Sequence, residues 1–113
     1  MQKTYKPTLL IDLDGVLNEY KGNYDVEYIP EMREGAQDFL KELYQNYTLV
    51  LFTTRFISMA RKWLENNGLD KYFDDVTNEK IPAYIMIDDR CICFKGDYEV
   101  LKNEIKNFRA WHK

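Results

Sequence analysis

The sequence predicts an α/β chain built on a mostly parallel sheet between helical layers. Short β-compatible apolar runs alternate with segments whose apolar residues recur at helical spacing, and the first three runs each end in polar groups suited to chemistry. Strand–helix–strand–helix–strand alternation makes the sheet parallel, because parallel neighbours need a crossover connection. In open sheets of this kind ligands bind outside the carboxyl ends of the strands, so those polar ends are expected to share one pocket.

The first strand is expected over Thr8 to Leu13, an apolar run too short for an ordinary helix, carrying Asp12 and Asp14 one residue apart and then Gly15. Residues 18–30, rich in Tyr, read as a hairpin-like flap turning at Lys21-Gly22-Asn23. A helix follows from Glu31, with Ala36, Phe39, Leu40, Leu43 and Tyr44 inward, ending near Gln45-Asn46. Tyr47 to Phe52 is a near-continuous apolar run of the kind buried on both faces of a parallel sheet, and it runs into Thr53-Thr54-Arg55.

The second helix is expected from near Ser58, with Ala60, Trp63 and Leu64 inward and a stop at Asn66-Asn67-Gly68. Leu69 to Asn78 reads as a mixed connection in which Tyr72 and Phe73 pack down and Asp74 and Asp75 face water. Ala83 to Ile87 is a third apolar strand closing on Asp88-Asp89-Arg90, and Cys91 to Phe94 a fourth short one. Asp97 is a candidate N-cap for a last helix, Tyr98 to Phe108, with Tyr98, Leu101, Ile105 and Phe108 on one face.

A chain of 113 residues, 45% apolar and 15% aromatic, suits a single domain over 1–113 with a real core. Its net charge of −3 argues against a general nucleic-acid or membrane-surface binder, which would carry a basic face. No apolar stretch has the length of a membrane span, and Asp12 interrupts the N-terminal run, so a cytoplasmic location is expected. The two cysteines, Cys91 and Cys93, cannot complete a four-ligand zinc site and read as reduced strand thiols.

Four carboxylates at one sheet edge repel: two unit charges about 4 Å apart cost on the order of 4 kcal/mol at an effective dielectric near 20. A cation among Asp12, Asp14, Asp88 and Asp89 relieves this, and all-oxygen ligands select a hard divalent ion such as Mg²⁺. With Thr53 and Lys80 beside it, such a site suits a phosphoryl group. Asp12 would be the nucleophile, and Asp14 would protonate the leaving oxygen and later activate water.

These residues resemble the motifs of the haloacid-dehalogenase-like (HAD) superfamily of phosphohydrolases over most of the chain. Asp12-x-Asp14-Gly15-Val16 resembles the first motif, Thr53 after Leu49 to Phe52 the second, Lys80 the third, and Asp88-Asp89 the fourth. The resemblance implies a Rossmann-like three-layer sandwich and a Mg²⁺-dependent phosphatase working through a phospho-aspartate. It implies metal ligation by Asp12, Asp14 and Asp89 with Asp88 in support, or with the two exchanged. Asp88 stands where the fourth motif often has Gly, and Cys93 falls near the place of a later acid.

The Ile87-Asp88-Asp89-Arg90 string also resembles the phosphatase half of phage-type polynucleotide kinases, so the implied substrate is a small phosphoester or a phosphorylated nucleic-acid end. No connection is long enough for a cap domain, so the pocket is expected to be open, with the flap tyrosines Tyr20, Tyr24 and Tyr28 covering the core rather than stacking on a sugar or base. Thr54 and Lys71 are alternatives to Thr53 and Lys80, and Arg55 and Arg90 are candidates either to clamp phosphate or to pair with a nearby carboxylate.

A signalling receiver domain uses similar groups in a different order, with its acidic pair first and its phosphorylated Asp later in the chain. A non-catalytic phosphate-binding module would not need both Asp12 and Asp14. A nucleoside-triphosphate switch is disfavoured by the lack of a G-x-x-x-x-G-K-S/T loop.

Overall fold

The structure, a computed structural model, describes residues 5–109. Its elements in order are β1 (Thr8–Asp12), α1 (Ala36–Tyr44), β2 (Thr48–Phe52), α2 (Ile57–Asn66), a 3₁₀ turn (Asp70–Tyr72), β3 (Asp75–Thr77), β4 (Ile85–Ile87) and α3 (Tyr98–Lys106). All the strand pairs are parallel and the sheet order is β3-β2-β1-β4. This is the expected Rossmann-like α/β arrangement, a four-stranded parallel sheet flanked by helices.

β1 and β2 are central, and their middle residues are buried on both faces, Leu9, Leu10 and Ile11 beside Leu49, Val50 and Leu51. The crossovers through α1 and α2 step the same way along the sheet, so right-handed connections put both helices on one face. There Leu40, Ala60, Trp63 and Leu64 pack on Leu9, Ile11, Leu49, Leu51 and Val76, with Tyr72 buried and Phe73 half-buried as expected. Phe39 and Tyr44 share the apolar stripe of α1 but remain partly exposed, because the sheet accepts only the ridge through Ala36 and Leu40.

Several expected elements differ. Asp75–Thr77, read as part of a mixed connection, forms β3 through its pairing with β2. Cys91 to Phe94 is irregular rather than a strand, and both cysteines are free and exposed. The first helix begins at Ala36, not Glu31, because the preceding residues close the flap: Asn18 bridges to Met32, and the amides of Glu19 and Arg33 donate to the carbonyls of Glu31 and Leu17.

Asp97 caps α3 as expected, its carboxylate accepting from the amides of Glu99 and Val100. The apolar face of that helix is nevertheless largely uncovered: Tyr98, Ile105 and Phe108 are exposed and Leu101 is half-buried. Helical spacing reports which residues share a face, not whether a neighbour covers it. Among the described residues no helix is long and apolar enough to cross a membrane.

Candidate active site

The register of the sheet assembles the site. Ile11 pairs with Ile87, so one residue further on the carboxyl ends of β1 and β4 set Asp12 beside Asp88. Oxygens of Asp12, Asp88 and Asp89 all lie within 4.8 Å of one another. Burial, reinforced by the charges of Asp88, Asp89 and Asp14, pushes the Asp12 carboxyl up to about 8. Three carboxylates grouped in this way, with oxygen donors only, have the charge and chemistry to hold a hard divalent cation.

Beyond β1 the chain turns tightly, with the Leu17 amide donating to the Leu13 carbonyl and Gly15 at φ +86°. A side chain at Gly15 would meet the Asp89 carboxylate, so the turn can close on the cluster only through glycine. Asn18, fully buried, holds the turn from within: its Oδ1 accepts from the amides of Gly15 and Tyr20, and its Nδ2 donates to Asp14 Oδ1 at 3.0 Å.

The other Asp14 oxygen belongs to Arg55, whose Nε donates to Oδ2 at 2.8 Å. Arg55 is 2% exposed; its Nη1 donates to the Asp25 carbonyl at 2.8 Å, and the Tyr24 ring lies 4.6 Å from its guanidinium carbon. Of the two roles expected for Arg55, a phosphate clamp or a partner for a nearby carboxylate, this geometry matches the second: its fork is turned to Asp14 and the flap.

An open pocket of about 390 Å³ lies over these groups, lined by Asp12, Asp14, Tyr20, Tyr24, Phe52, Thr54, Asp88 and Arg90. Its cation is Arg90. Lys80 is exposed beyond the end of β3 and is not among the lining residues, while Lys71 precedes β3, at the opposite edge of the sheet, and sits over the Tyr72 ring. Thr53 is buried and its hydroxyl accepts from the Arg55 amide; the exposed hydroxyl of the pair is Thr54.

The flap turns at Asp25–Tyr28 rather than at Lys21-Gly22-Asn23, and Trp63 Nε1 of α2 donates to the Pro30 carbonyl at its base. Tyr20 is buried, but Tyr24 and Tyr28 are exposed, so the flap walls the pocket more than it covers the core.

Sequence reasoning singled out neither Asn18 nor Asn78, whose Nδ2 donates to the carbonyls of Thr53 and Arg55 and fixes the loop after β2. An Asn shortly after D-x-D-G was the one available signal for Asn18; a polar residue in a loop carries none for Asn78.

No curated protein and no solved structure shows a significant match to the chain. Residues 7–107 match the family described as NLI interacting factor-like phosphatase, a span that takes in every residue of the cluster, the pocket and the flap. The chain belongs to the NLI interacting factor-like phosphatase family, capless phosphohydrolases of the HAD type.

Proposed function

We propose that the chain hydrolyses phosphomonoesters with Mg²⁺, through a phospho-aspartate on Asp12. The observation that carries this reading is the grouping of Asp12, Asp88 and Asp89 at the carboxyl ends of adjacent parallel strands, with Asp14 held beside them. A divalent cation bound there would neutralise the carboxylates and the phosphoryl oxygens.

In the first step an Asp12 oxygen attacks phosphorus while the bond to the leaving oxygen breaks; that oxygen keeps the electron pair and takes a proton from Asp14. In the second, water attacks the phosphorus of phospho-Asp12 and gives a proton to Asp14. Inorganic phosphate leaves and the Asp12 carboxylate is restored. Asp12, Asp88, Asp89 and the backbone at Asp14 are the proposed metal ligands. Thr53 or Thr54 with Arg90 and Lys80 supply donors and positive charge for the phosphoryl oxygens.

A phosphorylated nucleic-acid end is a second reading, favoured by Arg90 and the exposed Tyr24 in an open pocket. The test is phosphate release from p-nitrophenyl phosphate and from a 3′-phosphorylated oligonucleotide, with Mg²⁺ and with chelator. The reading expects Mg²⁺-dependent turnover that Asp12→Asn abolishes. Activity that survives Asp12→Asn would sink the covalent mechanism, and silence on both substrates would leave a phosphate-binding module.

A further inference from the structure

We infer that Arg55 is a positioning residue that ties the flap to Asp14, so that the pocket wall and the proton donor are set by one side chain. The inference rests on the reading of Asp14 as the acid that protonates the leaving group. Arg55 is buried, and its guanidinium is engaged by three groups: Nε on Asp14, Nη1 on the Asp25 carbonyl, and its central carbon over the Tyr24 ring. Nη2 is buried and has no hydrogen-bond partner among the described residues, so burial of the group is not driven by a full set of bonds; it is held where the flap and Asp14 meet.

The geometry requires arginine. A lysine ammonium can meet the Asp14 carboxylate, but it is a point charge and cannot also present a planar fork to the Asp25 carbonyl and the Tyr24 ring. The loop bearing Arg55 is itself fixed, its amide on the Thr53 hydroxyl and its carbonyl on Asn78, so the guanidinium is offered from a rigid base. Tyr24 and Asp14 both line the pocket, on either side of the buried guanidinium that joins them. Loss of Arg55 therefore frees the flap tip and leaves Asp14 held on one side only, by Asn18, without touching Asp12 or the carboxylates that follow β4.

Two readouts test this on the whole protein with Mg²⁺. The first is kcat/KM on glycerol 2-phosphate, whose alkoxide leaves poorly without a proton, against p-nitrophenyl phosphate, whose phenolate leaves unaided. Arg55→Gln should lose about a hundredfold on the alkyl ester and less than about tenfold on the aryl ester, since an acid matters most to a poor leaving group. In an Asp14→Asn background the same change should cost little more, as expected of residues that act as one unit. Arg55→Lys should recover part of the alkyl rate.

The second readout is amide hydrogen exchange over residues 20–28, which needs no turnover and should quicken about tenfold in Arg55→Gln and also in Arg55→Lys. Equal losses on the two esters, full additivity with Asp14→Asn, or unchanged flap exchange would each overturn the inference. If Arg55→Gln does not fold, Arg55→Lys carries the same comparisons. A wild-type protein inactive on both esters would count against the phosphatase reading, and flap exchange alone would then decide whether Arg55 docks the flap.

Discussion

Gly15 and Asp89 share one corner of the site: the Gly15 backbone, at φ +86°, lies where any Cβ would run into the Asp89 carboxylate. The D-x-D-G turn and the acidic pair after β4 are thus matched by shape as well as by charge. Gly15→Ala faces both a left-handed backbone, costing about 1–2 kcal/mol, and the displacement of Asp89. Calorimetric titration with Mg²⁺ should show at least a tenfold weaker affinity, and thermal unfolding a lower Tm. Unaltered Mg²⁺ affinity would mean that Asp89 is not placed by this contact.

Asp12 makes the metal-free fold pH-sensitive. Its carboxyl binds a proton more tightly in the fold, at about 8, than at the ordinary value of 3.8, so the folded state holds the extra proton between these limits. That contribution to stability is complete below the ordinary value and is lost as the pH rises through the folded one. In chelator, Tm should fall between about pH 4 and about pH 8, and Asp12→Asn should flatten the fall and raise Tm at the alkaline end by several degrees. Mg²⁺ should stabilise the wild type most at that same end. A Tm that climbs with pH in chelator would contradict this.

Asn18→Ala leaves the buried amides of Gly15 and Tyr20 without an acceptor and frees one oxygen of Asp14. Each stranded buried group costs about 1–3 kcal/mol, so urea unfolding should show a loss of roughly 2–4 kcal/mol, together with lower activity at temperatures where the variant remains folded. A loss below about 0.5 kcal/mol would show that water replaces the side chain.

Arg90 lines the pocket and Lys80 does not, so Arg90→Ala should raise KM for a phosphoester by about tenfold, on the scale of a charge-assisted contact. Lys80→Ala should have the smaller effect. Steady-state kinetics on the two variants checks the order, and a larger penalty for Lys80→Ala would return the phosphate-neutralising role to it.

The parts of this protein that were legible in its sequence are those fixed by local pattern. Leu9 to Ile11 and Leu49 to Leu51 are apolar enough to demand a central strand, and alternation with helices then dictates where Asp12, Thr53 and Asp88 emerge. Asp75–Thr77 was not legible, because three residues with one buried Val look like loop until β2 offers an edge. Cys91 to Phe94 failed in the opposite sense, being β-compatible residues with no strand to pair. The direction of Arg55 depends on a flap thirty residues earlier in the chain, and no spacing rule encodes that contact.

The shortness of β4 has a thermodynamic consequence. Ile85–Ile87 is an edge strand joined to the sheet through β1 alone, and the helix that follows it buries no side chain completely. Two of the three clustered carboxylates are carried by the segment that should open first, ahead of the core under α1 and α2. A bound cation would then act as a clasp, closing that margin in proportion to its concentration relative to its dissociation constant. Protection of the β4 amides would follow the free Mg²⁺ level, while that of β1 and β2 would not.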